Sequence, residues 1–99
     1  MLHTVNKSPF GHSALDACLK HVKPGSAVLL IEDGIYAATR DTAPARRLEE
    51  ALATVAVYVL QPDVEARGLQ ERLMEGVRLV DYGGFVDLVI EHDTVQSWL

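Results

Sequence analysis

The stretch "TVAVYVL", residues 54–60, decides the fold. It is rich in β-branched residues, contains one tyrosine, and is followed at once by Gln61 and Pro62, a composition typical of a strand that ends there. A second apolar run, "AVLLI" at 27–31, stops at Glu32. Strands that are apolar at every position are covered on both faces, as in the parallel sheets of α/β domains.

A helical pattern precedes the second of these runs. Its apolar stripe follows the i, i+3, i+4, i+7 spacing of a helix and consists of Leu15, Cys18, Leu19 and Val22. Ser13 stands at the N-cap position, and Asp16 is placed to complete a capping box or to pair with Lys20. The pattern predicts a helix from about residue 13 to the Pro24-Gly25 turn.

Strand and helix patterns alternate along the rest of the chain. We predict a weak strand at 2–6, a helical stretch at 35–39, a helix from Pro44, a helix or turn at 63–68, a helical turn at 69–74, a strand at 77–80, a helix at 82–92 and a final tail or strand at 94–99. This alternation favours a small three-layer α/β domain with a mainly parallel sheet of four to five strands. Residues 1–99 read as a single domain, and the strand order stays open.

Composition and charge exclude several classes of protein. The chain is 48% hydrophobic and 23% charged, which is typical of a soluble globular protein. The single cysteine cannot form an internal disulfide, no signal peptide is visible, and no apolar run approaches the roughly 20 residues that span a membrane, so we expect a cytoplasmic protein. The net charge is −5 and no basic cluster exceeds Arg46-Arg47, which argues against direct nucleic-acid binding.

Three aspartates follow predicted strands, where α/β proteins bind ligands. Asp33, Asp63 and Asp81 could form a metal or acid–base site, but each also stands where a helix can begin, and capping is the favoured interpretation. The chain has no GxGxxG, GxxxxGK[ST], HExxH or GxSxG motif. We therefore expect no cofactor and no metal.

Cys18 is the candidate catalytic residue, and two interpretations of it stay open. Its place on the apolar stripe favours a packing role, because free cysteines are among the most buried residues. Lys20, His21 and Lys23 lie close in sequence, and a positive surrounding would favour the thiolate if the sulfur were exposed.

The last predicted helix is apolar on more than one side, although a surface helix needs only one apolar stripe. Its apolar residues are Tyr82, Phe85, Val86, Leu88, Val89 and Ile90. Either this helix contributes to an oligomer interface or it is buried within the monomer.

Four segments taken together resemble the DsrH/TusB family of sulfur-relay subunits: "MLHTVNKSPF", "VLLIEDGIYAAT", "VYVLQPDVEARG" and "VDYGGFVDLVIEHDTVQSWL". The resemblance runs from Met1 to Leu99. It implies a DsrEFH-like fold and a heterohexamer, with two copies each of this chain, a DsrE/TusD-like subunit and a DsrF/TusC-like subunit. Such complexes pass persulfide sulfur to a DsrC/TusE-type carrier, for sulfur oxidation in one branch and for 2-thiolation of the tRNA wobble uridine in the other.

The resemblance also bears on Cys18, which coincides with a cysteine in the first helix of DsrH-type members. The principal sulfur-accepting cysteine of these complexes belongs to the DsrE/TusD subunit, and residues 60–63 of this chain offer no thiol. The leading hypothesis is an accessory or structural subunit. The alternative is a sulfurtransferase in its own right, with Cys18 as an accessory persulfide carrier. Cys18 and the C-terminal segment incline the chain towards the sulfur-oxidation branch.

Overall fold

Five parallel strands form one sheet in the computed structural model, which describes residues 1–99. They are β1 (Leu2–Val5), β2 (Ala27–Leu30), β3 (Ala56–Leu60), β4 (Arg78–Val80) and β5 (Val95–Trp98). Their order across the sheet is β4-β3-β2-β1-β5, and every neighbouring pair is parallel. The predicted α/β class is confirmed, and the C-terminal tail forms the fifth strand.

Helices cover both faces of the sheet unequally. In chain order they are α1 (Ala14–His21), a 3₁₀ helix (Glu32–Ala38), α2 (Ala43–Ala51), α3 (Gln61–Ala66) and α4 (Tyr82–Glu91). The first four pack with the larger core of 17 buried residues, whereas α4 alone covers a smaller core of four. The three-layer arrangement is therefore confirmed, with one thick and one thin outer layer.

The apolar run of β2 is explained by this arrangement. Successive side chains of a strand point to opposite faces. Val28 and Leu30 enter the larger core, and Ala27 and Leu29 enter the smaller one, so that all four residues are at most 3% exposed. A strand that lies between two helical layers has no polar face, which is why this segment shows no alternation.

Side chains cap two of the helices and fail to cap a third. Thr42 caps α2 by accepting the Ala45 N–H at 3.4 Å, and Asp81 caps α4 by accepting the Gly84 N–H at 2.7 Å. Ser13 occupies the N-cap position of α1, but its side chain makes no capping hydrogen bond. The capping box predicted with Asp16 is absent because that carboxylate pairs with another helix.

The helical turn predicted at residues 69–74 is present only as one short turn, which the Arg72 N–H closes by donating to the Leu69 carbonyl at 3.0 Å. The segment consists of turns and runs beside the end of the 3₁₀ helix, where Leu73 forms an isolated bridge with Thr39. The Met74 N–H donates to the Ala38 carbonyl at 2.8 Å, and the Arg40 N–H donates to Arg72 at 2.8 Å. Beyond Arg72, these long-range backbone bonds take the place of the further local bonds that a longer helix would need.

Candidate functional site

Cys18 lies in the middle of α1 and is completely buried. It belongs to the larger core, as the apolar stripe predicts. Burial disfavours the charged thiolate and raises the pKa of Cys18 to about 12. At pH 7 only about one thiol in 10⁵ would be ionised at such a pKa. The folded chain therefore presents neither an accessible sulfur nor a thiolate at this position.

The basic residues near Cys18 in sequence do not surround its sulfur. The His21 Nδ1–H donates to the Ala17 carbonyl oxygen, 2.8 Å away, and the imidazole lies against the Trp98 ring. Lys20 lines a groove of 510 Å³ between α1 and α2. Asp16 pairs across this groove with Arg47 at 2.9 Å rather than with Lys20. The positive surrounding that would activate the thiol is absent.

The aspartates at the carboxyl ends of the strands have structural partners. The Asp63 carboxylate accepts the Glu32 N–H at 2.7 Å, and the Asp33 carboxylate pairs with Arg67 at 2.9 Å. Together these contacts tie the start of the 3₁₀ helix to α3. Asp81 caps α4. The capping interpretation is therefore confirmed for Asp81, whereas Asp33 and Asp63 make contacts between elements instead of capping the helices that follow them. No group of three or more His, Cys, Asp or Glu residues could hold a metal ion.

The turn after β2 has unusual backbone at Glu32 and a close approach to β1 at Gly34. Glu32 has φ of 50°, in the left-handed region, where its N–H meets the Asp63 carboxylate. At Gly34 a Cβ atom would overlap the Val5 carbonyl oxygen at the end of β1. The 3₁₀ helix can therefore pack against the sheet this closely only with glycine there.

An aromatic cluster that the sequence did not indicate joins the C-terminal strand to the domain. The Trp98 Nε1–H donates to His3 Nδ1 at 3.0 Å, and the two rings stack with centroids 6.2 Å apart. The His21 ring also lies near the indole, with its centroid 5.5 Å from the Trp98 centroid. Burial, followed by the positive charges of the amino terminus and His21, lowers the pKa of His3. Only the register of β1 against β5 brings residues 95 positions apart into contact.

The outer surface of α4 is apolar and uncovered. Leu88 belongs to the smaller core, and Phe85 packs against that core. Four further apolar residues point away from the sheet and are 39–75% exposed: Tyr82, Val86, Val89 and Ile90. We call these four residues the α4 surface. Since contiguous exposed apolar patches usually mark interaction sites, burial within the monomer does not explain the apolar excess of this helix.

None of the helices is both long and apolar enough to cross a membrane.

Comparison with known families gives a match over most of the chain. The model of the DsrH like protein family matches residues 7–95. This chain belongs to the DsrH-like family. The resemblance drawn from the four sequence segments is thereby confirmed, and the family assignment is consistent with the parallel sheet and its helices.

Curated relatives extend the match to the whole chain. Protein TusB of Pectobacterium parmentieri is 42% identical, over 99% of this chain and 100% of its own length. Protein TusB of Pectobacterium atrosepticum is 39% identical with the same coverage, and that of Klebsiella pneumoniae is 38% identical. These alignments therefore cover nearly all of the DsrH-like chain and all of each relative.

Solved structures support the fold. The ychN protein from E. coli superposes with a TM-score of 0.81 at 18% identity, over 97% of both chains. MTH1491 from Methanobacterium thermoautotrophicum gives 0.80 at 18% identity, over 97% of this chain and 95% of its own. At this identity the likeness concerns the fold alone.

Proposed function

We propose that this chain is an accessory subunit of a cytoplasmic sulfur-transfer complex. The observation that carries the proposal is membership of the DsrH-like family over residues 7–95, with full-length TusB relatives. The partners would be DsrE/TusD-like and DsrF/TusC-like subunits, in a heterohexamer with two copies of each chain. The complex would pass persulfide sulfur to a DsrC/TusE-type carrier.

Between the two pathways, the relatives favour 2-thiolation of the tRNA wobble uridine over sulfur oxidation. The curated relatives named above are all TusB proteins, at 38–42% identity. Cys18 had inclined the sequence interpretation towards the sulfur-oxidation branch, but a buried thiol is weak support for that choice. The net charge of −5 fits a subunit that acts on a protein carrier and leaves tRNA to other components.

The accessory role follows from the chemistry of persulfide transfer. A thiolate attacks the terminal sulfur of a persulfide, a new S–S bond forms, and the donor cysteine leaves as a thiolate. Cys18 is 0% exposed and its pKa is raised to about 12, so it meets neither requirement in the folded chain. In the alternative, in which Cys18 is a persulfide carrier, α1 would have to move away from the sheet.

The α4 surface is the part of the chain best suited to hold the partner subunits. Its most exposed member, Ile90, is 75% exposed, followed by Tyr82 at 62%. Full burial of a completely exposed apolar side chain is worth about 1.5–3 kcal/mol, and covering these partly exposed side chains contributes a corresponding fraction of that each. In this proposal the chain contributes a folded scaffold and an apolar surface, and the reactive thiols lie on its partners.

Co-expression with the DsrE- and DsrF-like subunits of the same host tests the proposal. We expect the three proteins to co-purify and to transfer sulfur from a persulfide donor to the carrier, with transfer abolished when the DsrE-like subunit loses its cysteine. Ile90→Glu on the α4 surface should prevent co-purification. Gln70→Glu, which adds the same charge at an exposed position outside α4, is the matched control. A wild-type chain that stays monomeric beside these partners would refute the proposal.

A further inference from the structure

The outer edge of β5 carries unpaired backbone groups. The Leu2 N–H of β1 donates to the Thr94 carbonyl at 3.0 Å. Since backbone groups of successive strand residues point to alternate sides, Gln96 and Trp98 also face β1, whereas the N–H and C=O groups of Val95, Ser97 and Leu99 face outward. β5 is an edge strand in the order β4-β3-β2-β1-β5, so no strand of this chain meets those groups.

This edge lacks the features that usually keep sheets apart. Natural edges are protected by charged residues, proline, bulges or very short strands. Residues 94–99, "TVQSWL", contain no charge and no proline. The opposite edge is protected, because β4 has only three residues and includes Arg78, whose guanidinium lies 6.0 Å from the Tyr58 ring centroid. The edge at β5 can therefore pair with a further strand, whereas the edge at β4 is protected against such pairing.

We propose that β5 pairs antiparallel with β5 of a second copy of this chain, about a two-fold axis through Ser97. Ser97 then stands opposite Ser97 of the second copy, and Val95 stands opposite Leu99 of the second copy. In this register every outward-facing residue meets another outward-facing residue, so their N–H and C=O groups satisfy each other. The two five-stranded sheets become one continuous sheet.

The side chains select this register over its neighbour. Val95 is 46% exposed and Leu99 is 82% exposed, and they lie on the same face of the strand. The axis through Ser97 places them opposite each other, where cross-strand apolar pairs are stabilising. An axis through Gln96 would place Val95 opposite Ser97 and Leu99 opposite Asp93 of the second copy, so that neither apolar residue meets another. The absence of charge along residues 94–99 means that no like charges meet at the two-fold axis.

The β5 contact is independent of the proposed accessory role. It joins two copies of the same subunit, whereas the α4 surface is assigned to different subunits. The contact can exist whether or not the chain takes part in sulfur transfer.

A pair of charge variants tests the contact and separates it from misfolding. Ser97→Lys and Ser97→Glu each place two like charges directly opposite one another at the axis. Each variant alone should dimerise about tenfold more weakly than wild type at low salt, and an equimolar mixture should recover the wild-type affinity. Light scattering after size-exclusion chromatography should give about twice the chain mass of 10.9 kDa for wild type and for the mixture.

Gln70→Lys and Gln70→Glu are the matched controls and should behave as wild type, alone and mixed. Circular dichroism checks that each variant is folded. A wild-type chain that is monomeric, or an equal mass for all samples, would overturn the proposal. So would two folded variants whose mixture fails to dimerise, because a strand from a different protein would then be the partner of this edge.

Discussion

Replacing Cys18 by serine should reduce stability while leaving sulfur transfer by the assembled complex largely intact. The thiol is 0% exposed within the larger core. A hydroxyl at this position enters an apolar environment and costs about 1–3 kcal/mol in free energy of unfolding. In a domain of this size, each kcal/mol lowers the thermal midpoint by about 4–8 °C. Cys18→Ala, which adds no polar group, is the matched control and should cost about 1 kcal/mol through the small cavity that it leaves.

The pH dependence of stability gives a second, independent measure of the buried thiol. Burial raises the pKa of Cys18 to about 12 in the folded chain, against about 8.5 for a thiol in the unfolded chain. Below pH 8 both states are protonated, and the stabilisation from burying a neutral thiol is fully present. Above about pH 9 only the unfolded state loses its proton, so wild type should lose about 1.4 kcal/mol per pH unit relative to Cys18→Ala.

The assays are urea unfolding of wild type and both variants between pH 7 and 11, and persulfide loading of each subunit followed by mass spectrometry. Thiol labelling of native wild type at pH 8 should be about a thousandfold slower than that of the unfolded chain. The packing role of Cys18 is refuted if persulfide accumulates on Cys18 and sulfur transfer is lost in both variants at unchanged stability. It is also refuted if the stability gap between wild type and Cys18→Ala is the same at pH 7 and pH 11.

Three other predictions concern different parts of the molecule. Gly34→Ala should destabilise the chain by more than about 2 kcal/mol in urea unfolding, because the new Cβ meets the Val5 carbonyl; wild-type stability in that variant would contradict the close packing of the 3₁₀ helix. Because the pKa of His3 is lowered in the folded chain, the protein should have its full stability above pH 6.5, the ordinary pKa of histidine. Its stability should fall as the pH drops from there through the folded pKa. His3→Gln should remove that acid dependence, and Trp98 fluorescence reports it. The isolated chain should not bind tRNA at physiological salt, as filter binding can show, and micromolar affinity with a steep salt dependence would be the contrary result.

The apolar runs made the class of fold predictable, and the reason is physical. The residues of β2 are buried on both faces, and only a strand between two helical layers imposes that pattern on a sequence. The strand order was not predictable because it depends on which strands become neighbours in the folded sheet, and the pattern within one strand does not identify its neighbours. The helical turn predicted at 69–74 is cut short for a related reason, since backbone bonds with Ala38 and Arg40 engage Arg72 and Met74 in place of further local bonds.

The candidate site was predictable in part. The stripe on α1 correctly placed Cys18 in the core, because helical spacing alone decides which residues share a face. The same pattern could not show that Asp16 pairs with Arg47, or that the Trp98 indole reaches His3. Both contacts join elements that are distant along the chain, and single-sequence periodicity carries no information about such neighbours.

The pairing of β1 with β5 has a consequence for biosynthesis. β1 is made first, yet its partner on one side begins at Val95, so that edge stays open while about 90 residues are added. At 5–20 residues per second, this interval is on the order of 5–20 s. Throughout it the nascent chain presents a strand with one unpaired edge, and such edges aggregate or mispair readily. A ribosome that pauses within α4 would lengthen the exposure, so the yield of folded protein should depend on translation speed and on chaperones that shield the first strand.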